Sequence, residues 1–126
     1  MNIKSQLTKF SQHPFWADPL VLVCIFIHLA FNLAQWLILI FGLREFRGYP
    51  IPLHYTILGG VDEVGNWINL LTLPLAALAI GLTNAVIGFF AYRREKLLSY
   101  FLAVVGLFLQ ALLLIITLAF LKLVRG

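Results

Sequence analysis

The sequence has 126 residues, of which 62% are hydrophobic and 11% are charged, and its mean hydropathy is +0.98. Soluble domains are about half apolar and a quarter charged, so this composition excludes a soluble globular protein and indicates one small membrane unit. The net charge of +4 comes from basic residues that stand singly or in one short cluster, which excludes a nucleic-acid-binding patch and is typical of contact with anionic lipid headgroups.

The N-terminal stretch is amphipathic. Its apolar residues Ile3, Leu7 and Phe10 recur at i, i+4 and i+7, whereas Lys4 and Lys9 fall on other faces. This spacing predicts one or two helical turns that lie on the membrane surface.

The first membrane span is predicted over about residues 19–43. Asp18-Pro19 marks its start, because aspartate is a good N-cap and proline suits the first helical position. His28, Asn32 and Gln35 fall on one narrow face at i, i+4 and i+7. Polar groups at this depth face protein or water, so they indicate either a proton or ion path or, as we favour, hydrogen bonds between helices.

The second span is predicted over about residues 68–92, with Pro74 tolerated in its first turns. One face carries small or polar residues at helical spacing, which predicts close approach of another helix. These residues are Ala77, Gly81, Asn84 and Gly88.

The third span is predicted over about residues 97–122. The charged run Arg93 to Lys96 precedes it without Gly or Pro, and we expect a tight helical hairpin there, because one continuous rod would draw these charges into or past the membrane. A small and polar face recurs on this span. It comprises Ala103, Gly106, Gln110 and Thr117.

Between the first two spans lies the outer loop, residues 44–67. Pro50 and Pro52 prevent a helix from running through it, and Gly and Asp residues supply turn chemistry, so an ordered loop is expected. Its signature residues are Pro52, His54, Tyr55, Gly59, Asp62 and Gly65. His54 and Asp62 are suited either to bind a cation or polar ligand or to hydrogen-bond the loop backbone; we favour the second interpretation.

This signature resembles that of the membrane domain of unknown function 1648, in which it stands between a first helix and a second whose start carries a proline, here Pro74. It is also similar to a pattern in small three-helix proteins of candidate-phylum bacteria. Thr56 and Gly60-Val61 depart from the usual residues of the family. Some longer relatives are immunity proteins against a secreted toxin, so the resemblance implies a bacterial membrane protein with a partner-directed loop.

The predicted fold is an all-α integral membrane protein: a single domain over residues 1–126, consisting of a three-transmembrane-helix bundle with one ordered extracytoplasmic loop. The basic turn at residues 93–96 is expected to remain in the cytoplasm. This places the N-terminus in the cytoplasm and the C-terminus outside an inner (plasma) membrane. The bias is five basic residues inside against four outside, namely Lys4, Lys9, Arg93, Arg94 and Lys96 against Arg44, Arg47, Lys122 and Arg125.

Three functions remain open at this stage. The first is a non-enzymatic module that presents the outer loop to a membrane-protein partner, in an immunity, sensing or accessory role. The second is an oligomeric transporter or channel lined by His28, Asn32 and Gln35, and the third is an enzyme that uses His54 with Asp62 or Glu63. We expect no cofactor, no metal, no catalytic residue and no nucleic-acid partner.

Depth provides a test between the first two functions. At 1.5 Å per residue, Asn32 and Gln110 lie level, and His28 lies level with Asn84. If these side chains meet inside one bundle, the module is favoured, whereas an open polar face on a monomer favours an oligomeric pore.

Overall fold

The computed structural model describes residues 2–46, 48, 51–56, 60–65 and 67–125, and among these the side chains of residues 46, 51–56, 60–65 and 67 are not described. The chain begins with helix α1 and a short 3-10 turn, and continues through a long helix, a second 3-10 turn, two strands and three further helices. These elements are α1 (Ile3–Ser11), Pro14–Ala17, α2 (Pro19–Gly42), Arg44–Phe46, β1 (Ile51–Thr56), β2 (Gly60–Gly65), α3 (Trp67–Leu70), α4 (Thr72–Ala91) and α5 (Lys96–Arg125).

Three helical segments are long and apolar enough to cross a membrane: Pro19–Gly42, Ile68–Ala91 and Lys96–Arg125. This confirms the prediction of three membrane-length helices and fits a multi-pass membrane protein. The third helix is longer than predicted, since it continues from residue 122 to Arg125. Large apolar side chains such as Phe26, Phe90 and Phe101 remain exposed on the bundle surface, which suits a lipid environment.

The first helices begin at polar caps. The Asn2 side chain accepts from the Lys4 amide at 3.0 Å at the start of α1, and Ile3, Leu7 and Phe10 are exposed, as expected for a surface-lying helix. Asp18 caps α2 as predicted, because its Oδ1 accepts from the Leu20 amide at 3.0 Å.

The loop region contains an antiparallel pair of strands, which the all-α prediction did not include. Ile51 lies opposite Gly65 and Thr56 opposite Gly60, with irregular pairing on both sides of His54. In β1, the residues Ile51, Leu53 and Tyr55 alternate with Pro52, His54 and Thr56, a period-two pattern typical of a strand. From the sequence, Pro50 and Pro52 were expected only to prevent a helix from running through this loop.

The second span is broken near its start. Helix α3 ends at Leu70 and α4 begins at Thr72, and the Leu71 amide donates to the Ile68 carbonyl at 3.0 Å in a tighter turn. Pro74 explains the break, because its ring would clash with the carbonyl four residues earlier and it has no amide hydrogen to donate.

Helix α5 packs against both α2 and α4, whereas α2 and α4 contact each other less. The α4–α5 connection is a tight turn in which the amides of Arg94 and Glu95 both donate to the Ala91 carbonyl, at 3.0 and 2.7 Å. The predicted helical hairpin is therefore confirmed. Near the loop end of the bundle, Leu39, Leu43 and Leu70 form an apolar core.

Candidate functional site

The outer-loop signature falls mostly outside the described part of the chain. Gly59 lies outside the described residues, and the side chains of the other signature positions lie outside them as well. Only their backbone is described, in β1 and β2. The predicted roles of Pro52, His54, Tyr55, Asp62 and Gly65 therefore stay predictions.

The polar face of α2 meets α5 through a continuous chain of side-chain hydrogen bonds, which we call the amide chain. Trp36 Nε1 donates to Asn32 Oδ1 at 3.0 Å, and Asn32 Nδ2 donates to Gln110 Oε1 at 3.1 Å. Gln110 Nε2 donates to Gln35 Oε1 at 3.0 Å, and Gln35 Nε2 donates to Thr117 Oγ1 at 2.8 Å. Every member is thus joined to the next.

The amide chain ends on backbone groups and reaches all three spans. Thr117 Oγ1 donates to the Leu113 carbonyl at 2.8 Å, and Asn32 Nδ2 also donates to the Pro74 carbonyl of α4 at 2.9 Å. Asn32, Gln35, Gln110 and Thr117 are all buried. The depth argument correctly predicted that Asn32 meets Gln110, but it did not foresee the bond between Gln35 and Thr117.

The chemistry of the amide chain is that of an interhelical tether. Its members are neutral amides, an indole and a hydroxyl, so none of them exchanges a proton readily near pH 7. Each bond between helices in a membrane stabilises by roughly 0.6 kcal/mol and rarely more than about 1.7, whereas an unpaired amide in hydrocarbon costs several kcal/mol.

His28 lies one helical turn before Asn32 in α2 and packs against Gly81 of α4. A Cβ atom added to Gly81 would stand 2.3 Å from His28 Nε2, so only glycine admits the ring. The carbonyls of Ala77 and Gly106 interact with the ring, yet Nε2 has no hydrogen bond of standard geometry among the described residues. His28 therefore occupies a packed position in which its Nε2 is left without a hydrogen bond of standard geometry in the described part of the chain.

His28 and Asn84 lie in the wall of one cavity but do not hydrogen-bond each other, a detail that the depth argument did not address. Asn84 Nδ2 instead donates to the Leu102 carbonyl of α5 at 3.0 Å. Both side chains border a cavity of about 240 Å³ between the helices, with Cys24 and Ala103 also in its wall.

The predicted small residues do lie at helix contacts. A Cβ on Gly88 would stand 3.3 Å from Phe15 Cε2, and one on Gly106 would stand 3.2 Å from Asn84 Nδ2. Ala77 is buried, and Ser99 Oγ donates to the Gly88 carbonyl at 2.5 Å. The small faces of α4 and α5 thus let the two backbones approach closely.

A second polar cluster, which the sequence analysis did not identify, joins the opposite end of the bundle. The hydroxyls of Tyr92 and Tyr100 each donate to Asp18 Oδ2 at 2.5 Å, and Lys96 Nζ lies 3.9 Å from the same oxygen. The Lys96 ammonium also lies over both tyrosine rings, 5.9 and 5.5 Å from their centroids. We call Asp18, Tyr92, Lys96 and Tyr100 the Asp18 cluster.

The electrostatics of the Asp18 cluster suit a fixed structural anion. Burial opposes ionisation of Asp18, but hydrogen bonds from Tyr100, Tyr92 and the amides of Leu20 and Val21 outweigh it and hold the pKa of the carboxyl below its ordinary value. Donation to Asp18 raises the pKa of Tyr92, so the phenol remains a donor. A general base would need a pKa near neutrality, which this carboxylate lacks.

A sequence signal for this cluster existed. Tyr92, Lys96 and Tyr100 flank the basic turn at four-residue spacing, and Asp18 was expected on the same side of the membrane. The analysis assigned Asp18 a capping role and did not consider its second carboxylate oxygen.

Comparison of the chain with protein-family models, curated proteins and solved structures found no match. Among the described residues, no group of three or more His, Cys, Asp or Glu side chains is placed to hold a metal ion.

Proposed function

We propose that this protein is a non-enzymatic membrane module whose three-helix bundle supports the outer loop, residues 44–67, and presents it to a partner. The observation that carries this proposal is the amide chain. Asn32 and Gln35, the two amide side chains of the first span, are paired inside a single chain, so the bundle needs no second subunit to satisfy them.

The same observation argues against a pore. A channel lined by His28, Asn32 and Gln35 would need these side chains on an open face, yet they are only 8%, 5% and 0% exposed. Opening that face would break the bonds to Gln110 and Thr117 and leave amides unpaired in a low-dielectric region. The outer surface of the bundle instead carries Leu, Ile, Val and Phe.

The loop is the part of this module with room for recognition, because the described remainder of the chain is mostly helix that meets lipid or another helix. By the distribution of basic residues, the loop faces the outside of a bacterial inner membrane and the N-terminus faces the cytoplasm. The loop signature resembles that of the domain of unknown function 1648, some longer relatives of which are immunity proteins, and this resemblance supports a partner-directed role such as immunity, sensing or accessory function.

The first experiment tests presentation of the loop. A photo-crosslinking amino acid is placed at Thr56 in the loop and, as a matched control, at Lys122 near the end of α5. In native membranes, we expect one discrete crosslinked partner from Thr56 and none from Lys122. Absence of any crosslink from several loop positions, or the same products from both sites, would contradict presentation of the loop.

The second experiment tests topology and the pore together. Single cysteines replace Ser5, Thr56, Gln35 and the lipid-facing Leu33 in a Cys24→Ala background, and a charged impermeant thiol reagent is applied from outside. We expect labelling at position 56 only. Labelling at position 5 but not 56 would reverse the proposed orientation, and labelling at 35 but not 33 would indicate a water-filled path.

A further inference from the structure

A cleft of about 950 Å³ lies between α1 and the last three turns of α4. One edge carries Lys9 and Arg93, and no Asp or Glu is among the described residues that line it. Neither cation forms an ion pair within the described part of the chain. This basic cleft is therefore complementary to an anion.

The wall of the basic cleft that α4 contributes is apolar. Leu82, Val86 and Phe90 recur every four residues on one face of α4, and all three are exposed. Leu82 lies eleven residues before Arg93, which corresponds to about 16 Å along a helix. This is close to half of the roughly 30 Å hydrocarbon core, or the acyl depth of one leaflet.

His13 and Trp16 also line the basic cleft. His13 stacks on Phe89 with ring centroids 4.1 Å apart, and its Nδ1 accepts from the Phe15 amide at 3.2 Å. Burial, together with the nearby Arg93 guanidinium, lowers the pKa of His13, so the ring is neutral at pH 7 and its proton resides on Nε2. Trp16, another lining residue, has a buried Nε1 with no partner in the described part of the chain.

We propose that the basic cleft binds one anionic phospholipid of the adjacent leaflet, with its phosphate between Lys9 and Arg93 and one acyl chain along Leu82, Val86 and Phe90. The charged edge and the apolar wall meet in the order in which a phospholipid presents its headgroup and its chain. A nucleic acid or an acidic peptide would leave the apolar wall uncovered. This site is independent of the role of the outer loop.

The test is native mass spectrometry of the purified protein with phosphatidylglycerol and with phosphatidylcholine of the same acyl chains. We expect one phosphatidylglycerol retained per chain, bound several-fold more tightly than phosphatidylcholine. Lys9→Gln with Arg93→Gln removes the two cleft cations and should weaken phosphatidylglycerol binding about tenfold, because bonds between ionised groups are the strong ones.

The matched control is Lys4→Gln with Arg94→Gln, which makes the same change in net charge on the same helix and turn but outside the cleft. It should leave the affinity within about twofold. Equal losses of phosphatidylglycerol affinity in the two double variants would overturn the proposal, because net charge alone would then explain the attraction. Equal affinities for the two lipids would also overturn it, because binding would then depend on apolar packing alone.

Val86→Trp tests the apolar wall with the charges intact. The larger side chain narrows the basic cleft and should also weaken phosphatidylglycerol binding. Phe108→Trp, on the exposed surface of α5, should leave this binding unchanged. Unchanged binding in Val86→Trp, or complete competition by glycerol phosphate at similar concentration, would overturn the acyl-chain part and with it the assignment to a phospholipid.

Discussion

The amide chain and the Asp18 cluster both join all three spans through hydrogen bonds, but only the Asp18 cluster contains charge. The amide chain lies within the spans and consists of neutral groups. The Asp18 cluster lies at the ends of the membrane-length helices, where a carboxylate, two phenols and an ammonium meet. The difference teaches how depth selects chemistry, because ionised groups are tolerated near headgroups and water, whereas mid-membrane polar groups need neutral partners.

Between these two clusters lies the contact of His28 with Gly81, which depends on shape rather than on hydrogen bonds. Gly81→Leu should have the largest effect of the changes considered, lowering the free energy of unfolding by about 3 kcal/mol or more, because its side chain must enter the space of the imidazole ring. The measurement is an unfolding titration in mixed micelles.

Two milder variants identify the cause of the loss of stability expected in Gly81→Leu. Gly81→Ala alone should destabilise the bundle, and Gly81→Ala in a His28→Ala background should cost much less, because the clashing ring is gone. If Gly81→Ala lowers the free energy of unfolding equally in the wild-type and His28→Ala backgrounds, contact with the His28 ring does not explain why residue 81 is glycine.

The Asp18 cluster should give the next largest effect. Asp18→Asn retains a cap for α2 but removes the negative charge to which both tyrosines donate hydrogen bonds and with which Lys96 pairs. We therefore expect a loss of about 2 kcal/mol in the free energy of unfolding. Glu95→Gln in the neighbouring turn removes the same charge without touching the cluster. A loss as large in Glu95→Gln would show that net charge, and not the cluster, is responsible.

The same variant predicts a pH dependence. The pKa of Asp18 is lowered in the folded protein, so the folded state binds fewer protons than the unfolded state in acid. The stability that this carboxylate contributes is complete above its ordinary pKa, near 4, and is lost as pH falls through the folded value. Asp18→Asn should flatten this part of the stability curve below pH 4, measured by unfolding at successive pH values.

Removing one link of the amide chain should have a smaller effect. Gln110→Leu should lower the free energy of unfolding by about 1 kcal/mol or less, because intramembrane hydrogen bonds are individually weak and Asn32 keeps its bond to the Pro74 carbonyl. A double-mutant cycle with Asn32→Leu measures the pairwise coupling. A coupling of zero would mean that the observed contact contributes only packing.

Changes in the outer loop should leave bundle stability unaltered. His54→Ala and Asp62→Ala are expected to increase protease cleavage between residues 49 and 67 while membrane insertion continues, if these side chains hold the loop backbone. Unchanged protection together with loss of a metal-dependent activity would instead support the enzyme hypothesis.

Much of the architecture follows from periodicity. Long apolar runs predicted three membrane-length helices, and the helical spacing of Asn32, Gln35 and Gln110 placed them on faces that do meet. Depth alone was sufficient for Asn32 with Gln110 because both lie near the middle of their spans, where an error of one residue shifts the level by only about 1.5 Å.

The remaining features depend on rotation and on side-chain reach, which spacing does not determine. His28 and Asn84 were expected at the same level, yet the ring packs against Gly81 and the amide donates to the Leu102 carbonyl. Asp18 and Tyr100 are 82 residues apart in sequence, and their contact depends on how the start of α2 packs against α5. The pairing of β1 with β2 was missed because a period-two pattern over six residues is weak beside two prolines.

The sequence separation within the amide chain has a consequence for biogenesis. Asn32 and Gln110 are 78 residues apart, and Gln35 and Thr117 are 82 apart, so α2 leaves the ribosome well before its partners exist. At translation rates of about 5–20 residues per second, this interval lasts roughly 4–16 s. During that time Asn32 and Gln35 of the nascent first span lack their partners in α5. A chain that stops before residue 110 would therefore leave both amides without these partners, so that the polar face of its first span stays uncovered.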